Sequence, residues 1–230
     1  MEILLKKIIK KFAGRKTYSY LLNTSLGQKI HNNLHENSVT SRDFLLQILP
    51  KNSIGLEIGV NNGDFSERIL EIVRPKKLHL IDPWIFFDSD SYNNTPYGKE
   101  SVSGQLDMDK KFENVKNRFS TEILNKQIII HRGFSEKIIP IFKNDYFDWI
   151  YVDGNHLYDY VKKDLQLCYD KSKNNSMITG DDYYDDLPEN DWSEGGVKKA
   201  VDEFVNLKKL ELIKIKNHQF ITKKYNIFYY

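Results

Sequence analysis

From residue 53 onward, short apolar runs alternate with stretches that have helical periodicity, and this alternation limits the possible folds more than any other feature of the sequence. The predicted strands are 53–58, 77–81, 127–131, 147–152 and 176–180, and the predicted helices are 64–73, 106–119, 135–142, 158–169 and 195–207. Segments 210–216, 219–224 and 226–230 predict antiparallel strands at the end. Strands that alternate with helices pair in parallel, so we predict an α/β, Rossmann-like doubly wound sheet with helices on both faces. In such sheets a ligand binds beyond the carboxyl ends of the strands.

Composition limits the function classes. The 34 basic and 32 acidic side chains leave a net charge of +2, which does not favour a nucleic-acid partner. The single cysteine, Cys168, cannot form an internal disulfide and is expected to pack in a helix. No segment approaches the roughly 20 apolar residues of a membrane span, and no secretory signal is apparent. We therefore expect a cytoplasmic protein.

The N-terminal segment MEILLKKIIKKFAGRK predicts a basic amphipathic helix. Such a helix can pack on its own domain, or it can contact an anionic membrane surface or a partner. Residues 1–48 are predicted to be a helical extension, with a short helix that starts near Ser41 and ends before Pro50. Association into a homo-oligomer is a further expectation.

A glycine-bearing turn follows the first strand in the pattern Glu57-x-Gly59-x-x-x-Gly63, and Asp82 ends the second strand. Glycines allow a tight turn close to a ligand, and an acid one βαβ step later can accept ribose hydroxyls. The dinucleotide fingerprint and the P-loop are both absent. The acid in the first strand suits a cationic ligand, and S-adenosylmethionine carries both an ammonium and a sulfonium. Asp64 and Glu67 also suggest a capping box for the next helix.

Residues 53–225 resemble the class I S-adenosylmethionine-dependent methyltransferases, and most closely the branch that contains the macrolide sugar O-methyltransferases. The resemblance rests on LEIGVNNGDFS, LIDPW, HRGFSEKIIP, DWIYVDGNHLYDYVKKDL, GDDYYDD and GGVKKAVDEF, in this order. It implies a methyltransferase domain over 49–230, a seven-stranded sheet of order 3-2-1-4-5-7-6 with strand 7 antiparallel, and a loop at 83–104 that covers the acceptor. The cofactor residues that it implies are Glu57, Gly59, Asn61, Gly63, Asp82, Gly133, Phe134, Ser135 and Asp153.

Strands four and five of that order are neighbours, so Asp153 and the pair Asp181–Asp182 can converge at one edge of the sheet. Carboxylates crowded in this way favour a divalent cation, and oxygen ligands suit Mg²⁺ or a similar ion. The alternative is that Asp181 caps a loop and Asp182 hydrogen-bonds backbone. The macrolide sugar enzymes have an aspartate as the expected base two residues after the first ligand, where this chain has Asn155. His156 is then the candidate general base, with a structural histidine as the alternative.

The sequence predicts an O-methyltransferase for a small polar acceptor, a sugar or nucleotide sugar of surface-polysaccharide or natural-product synthesis. Candidate acceptor contacts are aromatic: Trp84, Tyr92, Tyr97, Tyr183, Tyr184 and Trp192. Two alternatives stay open. One is metal-independent N-methylation of a small molecule, and the other is a non-catalytic protein that binds S-adenosylmethionine.

Overall fold

Seven strands form one sheet in the order β3-β2-β1-β4-β5-β7-β6. The structure is a computed structural model, and it describes residues 41–88, 92, 95–99, 101, 103–184 and 193–225. The strands are β1 (Ile54–Ile58), β2 (Lys77–Asp82), β3 (Ile128–Arg132), β4 (Phe147–Val152), β5 (Ser172–Gly180), β6 (Glu211–Lys216) and β7 (Gln219–Lys223). Strands β1 to β5 pair in parallel, and β7 is antiparallel to both neighbours. The predicted fold and strand order are confirmed.

Helices cover both faces of the sheet. They are α1 (Asp43–Leu46), α2 (Asp64–Ile72), α3 (Pro96–Lys99), α4 (Gln105–Arg118), α5 (Ser120–Leu124), α6 (Ser135–Ile138), α7 (Tyr158–Lys171) and α8 (Gly196–Lys208). A 3₁₀ turn, Ile139–Ile141, continues α6. Among the described residues, none of these helices has the length and apolar character needed to cross a membrane.

Two apolar cores, one on each face, hold the sheet between the helices. Strand β4 supplies both, because alternate side chains of a strand point to opposite faces: Trp149 and Tyr151 belong to one core, and Ile150 and Val152 to the other. The second core contains Cys168 with no exposed surface, as predicted. Both cores end at the carboxyl edge of β1, β2, β4 and β5, where the predicted site residues lie.

Helix α1 packs into the first core through Leu45 and Leu46, which have no exposed surface. This part of the predicted N-terminal extension therefore belongs to the same core as the sheet. The predicted basic helix within residues 1–40 and the predicted strand 226–230 lie outside the described residues.

The start of α2 differs from the predicted capping box. Gly63 is the N-cap residue, with φ of 81° and no side-chain hydrogen bond to the helix end. Asp64 and Glu67 instead bind Arg118 of α4, at 2.5 Å and 2.9 Å. The prediction was wrong because an arginine from a distant helix competes for both carboxylates, and local spacing cannot reveal such a partner.

Candidate active site

The turn after β1 lies directly against the end of β4. A Cβ atom at Gly59 would be only 1.8 Å from the carbonyl oxygen of Asp153, and Gly59 has φ of 88°. The Gly59 amide donates to Ile81 O at 2.9 Å, and the Asp153 amide donates to Ile58 O at 2.8 Å. Only glycine fits here, since any side chain would collide with backbone. The predicted cofactor turn and the predicted acid end of the site are therefore in contact.

Glu57 is a buried acid beneath this turn. Its side chain is 1% exposed, and Ser66 Oγ of α2 donates to Glu57 Oε2 at 2.6 Å. Burial raises the pKa of Glu57 to about 8, although the Ser66 hydrogen bond opposes the shift. At neutral pH this carboxyl group is mostly protonated, so it contributes little negative charge to this edge of the sheet.

Asp82, the predicted ribose acceptor, already binds four donors of the protein. Its Oδ2 accepts the amides of Val60 and Asn61 at 3.0 Å and 2.9 Å. Its Oδ1 accepts the amide of Trp84 at 2.8 Å and the Tyr97 hydroxyl at 2.7 Å. The three amides shape the turn, whereas Tyr97 comes from the predicted acceptor loop. A ribose hydroxyl that approaches Oδ1 would compete with Tyr97.

Beyond β4 and β5, five charged side chains alternate in sign, and we call them the charge chain: Asp181, Arg42, Asp153, His156 and Asp182. Arg42 Nη1 lies 3.1 Å from Asp181 Oδ2 and 2.9 Å from Asp153 Oδ2. His156 Nε2 lies 3.4 Å from Asp153 Oδ1, and its Nδ1 lies 2.8 Å from Asp182 Oδ2. The structure therefore brings the predicted acids and the predicted base together.

The charge chain alters the protonation of its members. Burial alone would lower the pKa of His156, but the hydrogen bonds to Asp153 and Asp182 raise it to about 10. Burial raises the pKa of Asp181 to about 7 against the attraction of Arg42. Burial opposes the shift at Asp182, yet its pairing with His156 keeps the pKa of this carboxyl below the usual range. In this arrangement His156 is an imidazolium that donates to both carboxylates.

One group within the described residues has the geometry to hold a metal ion. Ligand atoms of Asp153, His156 and Asp182 all lie within 4.8 Å of one another. The set differs from the predicted three aspartates, because Asp181 binds Arg42 and also accepts a hydrogen bond from Gln219 Nε2. Two carboxylates with one imidazole fit Mn²⁺, Fe²⁺ or Zn²⁺ better than Mg²⁺, which prefers oxygen ligands only.

The residues expected near adenine lie after β3. The Gly133 amide donates to Asp82 O at 3.0 Å, which fixes the turn beside the second strand. Phe134 is 40% exposed, and its ring centroid lies 6.2 Å from that of Phe87, which is also exposed. Ser135 Oγ donates to Asp164 Oδ1 at 2.6 Å. An exposed aromatic ring at this edge is available to a base.

The aromatic residues predicted to bind the acceptor divide into two groups. The structure places Trp84 and Tyr183 in the cores, at 0% and 3% exposure, which corrects their predicted role. Their polar atoms have partners within the protein: Trp84 Nε1 donates to Asn61 O at 2.9 Å, and the Tyr183 hydroxyl donates to Asp202 at 2.6 Å. A buried ring with its polar atom already paired has no surface to offer an acceptor.

Three of the other predicted aromatic residues, Tyr92, Tyr97 and Tyr184, lie near the carboxyl edge of the sheet. Tyr92 is half-buried and donates to Ile85 O at 3.0 Å, while Tyr97 binds Asp82. The Tyr184 side chain hydrogen-bonds Asp182 at the end of the charge chain. Trp192 lies outside the described residues. Tyr184 therefore stays a candidate for acceptor contact.

Sequence reasoning missed Arg42 and Gln219. Arg42 precedes α1, more than 100 positions before the aspartate that it binds, and Gln219 begins β7. Gln219 is 1% exposed; its Oε1 accepts the Tyr151 hydroxyl at 2.9 Å while its amide donates to Asp181. No local pattern marks either residue, because both act through contacts that only the folded chain creates.

Comparison with known proteins identifies the family. A family model described as a methyltransferase domain matches residues 56–183, more than half of the chain. The chain belongs to this methyltransferase family. Family and fold together make it an S-adenosylmethionine-dependent methyltransferase of class I. A search among proteins of curated function finds no significant match.

Solved structures support the same fold at low sequence identity. A Methanococcus maripaludis protein assigned as an S-adenosylmethionine-dependent methyltransferase is 13% identical, with 92% of each chain covered and a TM-score of 0.55. A Corynebacterium glutamicum protein is 8% identical, with 99% of this chain and 98% of that chain covered and a TM-score of 0.57.

Coverage is lower for a larger relative. A Galdieria sulphuraria protein assigned as a sarcosine dimethylglycine methyltransferase is 13% identical, with a TM-score of 0.43. The alignment covers 66% of this chain but only 47% of that protein, so this chain spans about half of its length.

Proposed function

We propose that this methyltransferase transfers the methyl group of S-adenosylmethionine to a hydroxyl of a small polar acceptor, a sugar or nucleotide sugar, at the charge chain. The observation that carries the proposal is the cluster of Asp153, His156 and Asp182 beside the turn of Gly59. The sulfonium is an activated methyl donor, so the protein has to align the acceptor oxygen and remove its proton. Acids and an imidazole next to the cofactor turn are suited to that second task.

Asp182 orients His156 for this role. Its carboxylate binds Nδ1 at 2.8 Å, so Nε2 remains the ring nitrogen on the side of Asp153. While both carboxylates hold it, His156 is protonated and can only donate a hydrogen bond to an acceptor oxygen. Removal of the acceptor's proton by His156 therefore requires that its contact with the carboxylates be loosened first.

A divalent cation held by Asp153 and Asp182 would neutralise both carboxylates and act as a Lewis acid that lowers the pKa of the acceptor hydroxyl. The donor set fits such an ion, with His156 as either a third ligand or the base, but not both at once. Asp181 keeps its partners Arg42 and Gln219 in this proposal.

An amine acceptor is the second candidate. The charge chain already surrounds one organic cation, the Arg42 guanidinium, with two carboxylates. An ammonium group of an acceptor could bind Asp182 in the same way, and it would have to pass one proton to a base or to water before its nitrogen could accept the methyl group. N-methylation by this route needs no divalent ion.

The test is transfer of labelled methyl from S-adenosylmethionine to a panel of sugars, nucleotide sugars and small amines, in EDTA and with added Mn²⁺ or Mg²⁺. We expect transfer to a hydroxyl that depends on the ion and falls at least about a hundredfold in Asp182→Asn and His156→Ala. The matched control is Asp159→Asn, an exposed acid on α7, which should retain wild-type turnover. Methylation of amines alone, equal in EDTA, would replace the first candidate with the second.

A further inference from the structure

The proposed function gives no role to Arg42, whose guanidinium group is held in a fixed position at the edge of the site. The side chain is 15% exposed, and its guanidinium packs 5.0 Å from the ring centroid of Phe65 in α2. The preceding residue is anchored as well, since Asn217 Nδ2 donates to Ser41 O at 2.9 Å. The guanidinium is therefore held in place from two sides.

One nitrogen of Arg42 makes all of its polar contacts within the described part of the chain. Nη1 donates to the Tyr151 hydroxyl at 3.0 Å and to Asp153 at 2.9 Å, and it lies 3.1 Å from Asp181. The other two nitrogens, Nε and Nη2, contact no acceptor among the described residues. The Arg42 side chain keeps 15% of its surface exposed at this edge of the sheet, so a ligand can reach it.

The unused donors belong to the most suitable group for a carboxylate. A guanidinium is always charged and presents its N–H groups as a planar fork that matches a carboxylate with two parallel hydrogen bonds. Beside it, Asp153 presents a carboxylate to solvent at 20% side-chain exposure. The edge of the site thus offers a cation and an anion 2.9 Å apart, which complements a zwitterionic amino acid.

We propose that Arg42 binds the α-carboxylate of the methionine moiety of S-adenosylmethionine, with Asp153 facing its ammonium. The methionine moiety carries both charged groups on one carbon, so a single Arg–Asp pair can bind both. The inference rests on the cofactor assignment and does not depend on the acceptor or on the cation proposed above.

Position favours the cofactor over an anionic acceptor as the source of this carboxylate. Asp153, the partner of Arg42, has its backbone in contact with Gly59 of the cofactor turn, and Phe65 belongs to the helix that this turn begins. His156, on the candidate acceptor side, approaches the other carboxylate oxygen of Asp153, Oδ1, whereas Arg42 binds Oδ2. Arg42 therefore lies on the cofactor side of Asp153.

The test compares two sulfonium ligands that differ only in the carboxylate: S-adenosylmethionine and decarboxylated S-adenosylmethionine. Both are titrated calorimetrically into the full chain in EDTA, without acceptor, so that an acceptor anion or a metal cannot contribute. We expect the wild type to prefer the carboxylated ligand by about tenfold or more, and Arg42→Gln to lose this preference while binding the decarboxylated ligand nearly as well as wild type does. Arg42→Lys should retain part of the preference.

Arg68→Gln is the matched control, because Arg68 binds Asp43 of α1 at 2.6 Å without contacting the charge chain. It should keep the full preference for the carboxylate, which separates loss of a ligand contact from loosening of α1. An equal loss of affinity for both ligands in Arg42→Gln, or an unchanged preference, would overturn the inference and assign Arg42 a structural or acceptor-binding role. Wild-type protein that binds neither ligand would instead overturn the cofactor assignment.

Discussion

We expect the replacement Glu57→Gln to stabilise the protein at alkaline pH, although Glu57 lies in β1 directly beneath the cofactor turn. The side chain is 1% exposed, and its hydrogen bond from Ser66 Oγ can be kept by the amide oxygen of glutamine. Burial raises the pKa of Glu57 to about 8. The protein must therefore ionise a buried carboxyl at high pH, whereas the glutamine variant has nothing to ionise.

The size and sign of the effect follow from proton linkage. The unfolded chain loses the Glu57 proton near pH 4.5, and the folded chain keeps it until about pH 8. Between these values the unfolded state binds fewer protons, so the free energy of unfolding falls as pH rises. A shift of about 3.5 pH units at about 1.4 kcal/mol per unit gives a fall of at most about 5 kcal/mol. Between pH 5 and 8.5 the difference between variant and wild type should widen by about 4 kcal/mol.

The assay is urea unfolding of both proteins at pH 5 and pH 8.5, followed by the fluorescence of the buried residues Trp84 and Trp149. Comparison with wild type at each pH removes the titration of other groups, such as Asp181. Glu67→Gln, at the exposed start of α2, is the matched control and should show no widening. A constant difference between Glu57→Gln and wild type at both pH values would refute the reasoning.

Two further predictions concern the cofactor turn. Gly59→Ala should cost more than about 2 kcal/mol of stability and abolish S-adenosylmethionine binding, because its Cβ would lie 1.8 Å from Asp153 O at a φ of 88°. Thermal melting and calorimetry measure both effects, and a Gly59→Ala protein that melts and binds as wild type does would contradict the expectation. Tyr97→Phe should tighten S-adenosylmethionine binding several-fold in calorimetry, because it removes the hydroxyl that occupies Asp82 Oδ1. Weaker binding would show that Tyr97 is itself a cofactor ligand.

The sheet was predictable because its determinants are local and periodic. Short apolar runs between helical patterns give the five parallel strands, and strand neighbours then bring Asp153 close to Asp182. The wrong capping box shows the limit of such reasoning. Asp64 and Glu67 have the right spacing, but Arg118 binds both, and nothing in the spacing reveals a competing donor 51 positions away.

Aromatic residues show the same limit in the candidate site. Their aromatic residue type suggested that Trp84 and Tyr183 contact the acceptor. Whether such a side chain is buried depends on whether the local backbone directs it towards a core or towards solvent, and residue type does not show this. Trp84 has φ of 43°, a left-handed conformation that is uncommon outside glycine, and its ring lies in the first core against Phe112. Such a conformation is set by its surroundings and cannot be inferred from an Asp-Pro-Trp stretch alone.

The charge chain links the two proposals because its two cations differ in chemistry. Arg42 cannot lose its proton, so the Asp181–Arg42–Asp153 end stays compensated whatever binds. Its Nε and Nη2, which bind no acceptor among the described residues, are the donors that we assign to an anion. His156 can lose its proton. At the Asp153–His156–Asp182 end, the positive charge of the imidazolium can therefore be replaced by that of a bound cation. Asp153 belongs to both ends. We therefore infer that cofactor binding at the Arg42 end and acceptor chemistry at the His156 end act through the two oxygens of one carboxylate, with Oδ2 facing Arg42 and Oδ1 facing His156.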